Sequence, residues 1–404
     1  MKKTLRYIYR WSFWQISRAF CYLYLRPKFG FRLRTRGFVM PKRPFLLVAN
    51  HGTFFDPWLV GHLVRHPLSI MMNEEGFRAS KFTQWYLRSI GTYPKKKGES
   101  DVRAMRTTLQ TLKDGYPVLI FPEGQTTWDG ETQPIYGGIE SIAKRIKLPL
   151  VMCRLNGNFL SRPWWGEDYR KGRVDAHLKM LTVDEIAALS KEELRAEIIA
   201  YLHNNDVKHP DNLAVPFAGP PCVQGLTRFV WICPACRAED RLSVSDTEVF
   251  CEACQARWTM DTHFRFAPVG PAEATIGDLH DWSSMHKEQV RAWIDAAETN
   301  AVLTESRGAH QCTVTDTGEY PTLAVGTLRL TPERLTFSPD DGGEPLAFAV
   351  SNIKDYVFQR KTIFEFRAQG EVYKFHFETG SPMKWVYYFR YLNQWHEYEQ
   401  RGWI

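Results

Sequence analysis

His51 and Asp56 stand five positions apart in the run Asn50-His51-Gly52-Thr53-Phe54-Phe55-Asp56. Imidazole is the one side chain there that exchanges a proton near neutral pH without a large shift. A carboxylate bonded to one ring nitrogen fixes the tautomer and leaves the other nitrogen as a base. Five positions are too many for contact along a strand but not if the Gly52-Thr53 turn opens directly into a helix. The apolar run Phe45-Leu46-Leu47-Val48-Ala49 ends where these polar residues begin, as a buried strand would. A second apolar run, Val118-Leu119-Ile120, is followed in the same way by Phe121-Pro122-Glu123-Gly124.

Between the two lies Gly91-Thr92-Tyr93-Pro94, then Lys95-Lys96-Lys97-Gly98, and further on Leu148-Pro149-Leu150-Val151. In order and spacing the set resembles the four motifs of the glycerolipid acyltransferase superfamily, whose familiar members are 1-acylglycerol-3-phosphate acyltransferases. His51 and Asp56 match its His-x4-Asp dyad, Phe121 to Gly124 its third motif and Pro149 the proline of its fourth. The resemblance implies a dyad in which His51 is general base and Asp56 its partner. It also implies substrate contacts from Asn50, Lys96, Lys97, Phe121, Pro122, Glu123, Gly124 and Pro149. Two departures stand out. A lysine, Lys97 or Lys96, occupies the place of the second motif's arginine, and Gln125-Thr126 follows Gly124 where Thr-Arg is usual. Lysine supplies a point charge but not a bidentate phosphate clamp. The run Lys95 to Lys97 serves equally as a solvated loop or as a contact for a donor's phosphopantetheine or nucleotide.

Apolar strands alternating with helical stretches from Gly37 to Asn158 predict an α/β sheet with its chemistry at strand ends. Strands are expected at Phe45–Ala49, Leu68–Met72, Val118–Phe121 and Leu150–Leu155, and helices at Asp56–Val64, Lys81–Ser89, Asp101–Lys113 and Asp184–His203. The acyltransferase domain is expected over 37–208 and a proline-rich linker over 209–225. No Gly-x-Ser-x-Gly elbow occurs, and no cysteine is placed by sequence beside His51, so a covalent acyl-enzyme has no candidate nucleophile.

Charge is distributed unevenly. Residues 1–55 hold twelve Lys or Arg and no Asp or Glu, against a formal charge of +7 for all 404 residues. Basic residues interleaved with Trp and Tyr, as in Arg6-Tyr7-Ile8-Tyr9-Arg10-Trp11, fit an anionic membrane interface better than nucleic acid. Segment 1–36 is therefore expected to be an amphipathic anchor. Leu5, Ile8, Trp11, Phe13, Ile16, Phe20 and Leu23 would be inserted and Arg6, Arg10 and Arg18 would lie at its margins. The alternative is a helix packed on the protein's own core, and both can hold for different turns. With no spanning helix and no signal peptide in view, the expected place is the cytoplasmic face of a membrane, bound peripherally.

Cys233-x2-Cys236 and Cys251-x2-Cys254 have the spacing of a closed four-thiolate structural Zn(II) site, so 226–266 reads as a zinc ribbon. Acidic neighbours (Glu239, Asp240, Asp246, Glu248, Glu252) argue against nucleic acid as its ligand. The remaining cysteines, Cys21, Cys153, Cys222 and Cys312, are scattered and read as reduced thiols. A helical connector is expected over 267–302. Over 303–404, short alternating strands followed by a helix at Pro382–Arg401 look like a pleckstrin-homology or GRAM-like module.

The function expected is acyl transfer from acyl-CoA or acyl-carrier protein to the hydroxyl of a lysophospholipid, 1-acylglycerol 3-phosphate above all. The alternatives are another hydroxylated lipid, such as a lyso-aminolipid, and a non-catalytic acyltransferase-like scaffold.

Overall fold

The computed structural model describes residues 3–73, 76–77, 80–95, 102–135, 137–220, 223–270, 276–315 and 318–393. Lys96, Lys97, Cys222 and the chain from 394 onward lie outside the described residues. Two compact units emerge: Met1–Trp164 with Asp168–Pro220, and Trp165–Glu167 with Pro221–Ile404.

The first unit opens with helix α1 (Lys3–Phe20), a π-helical turn (Cys21–Leu25) and the short α2 (Arg26–Lys28). The sheet elements then follow in chain order: β1 (Phe31–Leu33), β2 (Leu46–Ala49), α3 (Asp56–Gly61), β3 (Ser69–Asn73), α4 (Lys81–Ile90), β4 (Tyr93–Lys95), α5 (Val102–Lys113), β5 (Val118–Ile120), α6 (Ile139–Ile146) and β6 (Leu150–Asn156). After them come α7 (Asn158–Ser161), β7 (Val174–Leu181), α8 (Val183–Ala188), α9 (Lys191–Leu202) and α10 (Pro210–Leu213). The strands form one seven-stranded sheet in the order β1-β7-β6-β2-β5-β3-β4. β2 pairs in parallel with β5 on one side and β6 on the other. The chain leaves β2 in one direction for β3 and later crosses to β6 on the far side. His51 follows the strand at this switch, where α/β sheets open a crevice at the carboxyl ends.

β2 is buried on both faces, which explains why it reads as continuous rather than alternating apolar residues. Phe45, Leu47 and Ala49 pack with Trp14, Leu59, Val60, Leu87 and Ile90 in one core. Leu46 and Val48 pack with Leu112, Ile139, Ile142, Leu194 and Ile198 in the other. Leu119 is fully buried next door in β5, and truncating such a residue to alanine costs about 2–5 kcal/mol.

Several boundaries differ from the expected ones. α3 stops at Gly61 and α9 is preceded by a separate α8, because Thr182 and Ser190 each cap a new helix with a reciprocal Glu at the third position. The sheet begins before residue 37, since β1 pairs with Val174–Ala176 of β7.

α1 corrects the expected margin of arginines. Arg10 is buried at 6% exposure, donating to Ser69 Oγ at 2.8 Å and Ile90 O at 3.1 Å, with its guanidinium 3.9 Å from the Tyr116 ring centre. Burial lowers its pKa to about 10. Trp14, also buried, donates its indole N–H to Val64 O at 2.9 Å. The inward face thus runs Arg10, Trp14, Ser17, Cys21, Leu25. Leu5, Ile8, Ile16, Phe20 and Leu23 stay exposed, as do Phe82 and Trp85 of α4. Among the described residues no helix is long and apolar enough to cross a membrane.

The second unit begins with a four-stranded antiparallel sheet, ordered β11-β10-β9-β8, from β8 (Leu242–Val244), β9 (Glu248–Cys251), β10 (Arg257–Met260) and β11 (Phe266–Val269). α11 (Leu279–Asp295) leads to β12 (Thr304–Cys312), β13 (Thr322–Leu330), β14 (Arg334–Pro339), β15 (Leu346–Ala349), β16 (Lys354–Gln359), β17 (Ile363–Ala368) and β18 (Glu371–His376). These make one seven-stranded antiparallel sheet, ordered β15-β14-β13-β12-β18-β17-β16, followed by α12 (Pro382–Asn393).

Candidate active site

The strand end of β2 and the start of α3 bring the dyad together as the turn requires. His51 Nδ1 lies 2.9 Å from Asp56 Oδ2. The same oxygen accepts the main-chain N–H of Gly52 at 2.7 Å and of Thr53 at 2.8 Å. Oδ1 accepts the side-chain amide of Asn158 at 3.0 Å. Asp56 is fully buried, and donors to both oxygens are the surroundings of a carboxylate anion. An anion only accepts, so His51 Nδ1 carries the hydrogen and Nε2 presents its lone pair. The imidazole lies against Phe121, ring centres 4.2 Å apart and 26° between planes, with its side chain 16% exposed.

Beside His51 sits a small cavity lined by Asn50, Glu123, Thr127, Asn158, Asn204 and Asp206 among others. Glu123 bridges two segments there: Oε1 accepts His51 N–H at 2.6 Å and Oε2 accepts Gln133 N–H at 2.7 Å. Burial raises its pKa well above the ordinary carboxylate value, against the pull of those two N–H groups. Asp206 is also fully enclosed, and burial raises its pKa to about 6. Its oxygens accept Gly157 N–H and Phe159 N–H at 2.8 Å each, and Asn204 Nδ2 at 2.6 Å.

The family model for Acyltransferase matches residues 31–156, the span from β1 through β6. That segment resembles an acyltransferase domain. Over 109 residues the chain is 36% identical to a lyso-ornithine lipid O-acyltransferase of Pseudomonas aeruginosa, covering 27% of this chain and 40% of that protein. A 1-acyl-sn-glycerol-3-phosphate acyltransferase of Bacillus subtilis is 26% identical over 132 residues, 32% of this chain and 62% of its own. The chain therefore spans less than two thirds of either relative's length. The crystal structure of the acyltransferase PlsC from Thermotoga maritima aligns at 19% identity over 50% of this chain and 94% of that one, with a TM-score of 0.38.

The matched segment places its expected residues in two ways. His51, Phe121 and Gly124 keep some exposure, whereas Asn50, Pro122 and Glu123 are buried. Asn50 ties β2 to β6: its amide donates to Leu155 O at 2.9 Å and its oxygen accepts Leu155 N–H at 2.6 Å. Glu123 likewise spends both oxygens on main chain. The N–H of Gly124, at φ +72°, is taken by Phe121 O at 3.1 Å, so it closes a turn and is not an oxyanion donor as it stands. Pro149 sits at the amino end of β6, beside Leu46 N–H, at the opposite end of the sheet from His51. Sequence reasoning missed Asn158, Asp206 and Gln133. The polar turn Asn156-Gly157-Asn158, which follows β6 as Asn50-His51-Gly52 follows β2, was the available signal.

In the second unit, the sulfurs of Cys233, Cys236, Cys251 and Cys254 all lie within 4.8 Å of one another. The separations are 3.7 Å for Cys233–Cys254 and 3.8 Å for Cys236–Cys251. Four thiolates around one zinc at about 2.3 Å would stand roughly 3.8 Å apart, so the donor set fits a tetrahedral ion. Each pair is held by the same knuckle: Arg237 and Gln255, at φ +63° and +62°, return N–H bonds to Cys233 O and Cys251 O.

Proposed function

We propose that the chain transfers an acyl group from a thioester donor, acyl-CoA or acyl-carrier protein, to a hydroxyl of a lysophospholipid. The observation that carries this reading is the 2.9 Å bond from His51 Nδ1 to a fully buried Asp56 whose other contacts are all donors. On this reading His51 Nε2 takes the acceptor hydroxyl's proton as that oxygen bonds to the thioester carbonyl carbon. As the carbon–sulfur bond breaks, the same nitrogen returns the proton to the leaving thiolate. Asp56 stabilises the imidazolium between the two transfers. A catalytic reading also suits these groups better than a scaffold, since a scaffold has no use for a partly exposed imidazole with an aligned anion behind it.

The acceptor we favour is 1-acylglycerol 3-phosphate, as for the Bacillus relative. Lys28 and Arg162 are cations near the dyad loop, each within 5 Å of the Tyr169 ring centre, Arg162 also 5.6 Å from that of Phe55. A second acceptor, a lyso-aminolipid, is favoured by the Pseudomonas relative's name and by Thr126 standing where the third motif usually has arginine.

The exposed apolar face of α1, with Leu23 at 75% and Phe82 of α4 at 71%, suits peripheral attachment to a membrane at its cytoplasmic face. The four cysteines would hold one structural Zn(II); a closed thiolate set leaves no position for substrate. The seven-stranded sheet with α12 would serve as a pleckstrin-homology or GRAM-like binding module. Mass spectrometry of a lysolipid panel incubated with enzyme and donor tests the reading. It fails if no panel member gains an acyl chain.

A further inference from the structure

We infer that Asn158 is a positioning residue for the dyad, and that Gly52 is glycine because the Asn158 amide occupies the place of a side chain there. The inference rests on the acyltransfer reading only for its kinetic arm. Asp56 Oδ2 is held three times over, by His51, Gly52 and Thr53, but Oδ1 is held by Asn158 Nδ2 at 3.0 Å. That bond sets the rotation of the carboxylate about its own axis, and so the direction in which Oδ2 meets the imidazole. It also supplies the donor without which a fully buried charged oxygen would be unsatisfied.

The amide is itself held from behind. Asn158 opens α7 after Gly157, whose φ of +85° turns the chain out of β6. A Cβ at Gly157 would meet Arg173 O at 2.2 Å, so the turn admits only glycine. The N–H groups on either side of Asn158, from Gly157 and Phe159, both end on the Asp206 carboxylate. Asp206 therefore clamps the turn, the turn aims Asn158, and Asn158 orients Asp56. These contacts join positions 102 residues apart, between Asp56 and Asn158, and 49 apart, between Gly157 and Asp206.

From the front, a Cβ built on Gly52 would lie 2.6 Å from Asn158 Nδ2 and 2.8 Å from its Cγ. Gly52 has no left-handed φ, so alanine suits the backbone, and the three atoms nearest its Cβ all belong to the Asn158 amide. Gly52→Ala should push the amide off Asp56 while keeping the Gly52 N–H bond and the fold.

The test uses the full chain and two variants, Asn158→Leu and Gly52→Ala. In wild-type protein, 15N NMR of histidine-labelled samples should find neutral His51 as a single tautomer with hydrogen on Nδ1. Both variants should show a mixture of tautomers. Both should lose about ten- to a hundredfold in kcat, the scale of one hydrogen bond to a charged group, with KM for donor and acceptor within about twofold. The tautomer readout needs no turnover, so it judges Asn158 even if His51 proves not to be the base. If Gly52→Ala folds, keeps a single Nδ1–H tautomer and keeps kcat within about twofold, the positioning role is overturned.

Discussion

The main-chain N–H of His51 donates to Glu123 Oε1 at 2.6 Å, so His51 is tied to the strand end of β5 through its backbone rather than its ring. Glu123 and Asp206 face the same cavity, and burial raises the pKa of both. A carboxyl raised on folding contributes stability in full below its unfolded pKa and loses it as pH rises through the folded value. For Asp206 that window runs from the ordinary 3.8 to about 6, a loss on the order of 2–3 kcal/mol. Asp206→Asn should lack this component. Denaturant unfolding at pH 4 and pH 7 should therefore show wild type losing more stability than the variant over that interval. Equal losses would mean that the Asp206 carboxyl does not titrate there.

Membrane attachment is expected to depend on the outward face of α1. Deleting the helix would be a poor probe, because Trp14, Cys21 and Leu25 belong to the core. Ile16 and Leu23 are 64% and 75% exposed, so the double variant Ile16→Asn/Leu23→Asn should fold normally. Co-sedimentation with anionic vesicles across a salt series should fall about tenfold in the variant, as roughly 25 cal/mol per Å² of inserted apolar surface is lost. Activity on a monomeric acceptor should not change. Identical sedimentation of both proteins at every salt concentration would place the membrane contact elsewhere or nowhere.

Metal is expected at one Zn(II) per chain, with its removal lowering the melting temperature of the second unit. The first knuckle continues into Glu239 and Asp240, which reach α12. Tyr388 OH donates to Glu239 Oε1 at 2.8 Å, and the fully buried Lys384 pairs with Asp240 and donates to Glu305 O at 2.8 Å. Loss of metal should thus loosen α12 as well as the ribbon, seen as faster amide exchange in residues 382–393 after chelation. Elemental analysis finding no zinc in protein prepared without chelator would count against the assignment.

The dyad was legible because its residues are near in sequence and stand where an apolar run stops. Asn158 was marked only by its polar turn at the end of β6, and Gln133 and Asp206 not at all, since nothing local distinguishes a polar residue that will close a distant hydrogen bond from one in an exposed turn. α1 shows a different limit. Its periodicity located an apolar stripe, but the core took the face carrying Arg10 and Ser17, whose polar groups find partners on α4 and β3. Periodicity tells that a helix is two-sided, and packing decides which side is inside. In the second unit the sequence did not mark β12, and its pairing with β18 could not follow from turn spacing, because it joins residues more than sixty positions apart.

The central claim is that His51 is the general base. His51→Ala should retain the wild-type melting temperature within a few degrees, because the partly exposed ring stacks on Phe121 and Asp56 keeps its donors from Gly52, Thr53 and Asn158 when the imidazole is lost. Its kcat with the best lysolipid acceptor, measured at saturating donor, should fall by about a hundred- to ten-thousandfold. A folded His51→Ala protein with near-normal kcat would contradict the account.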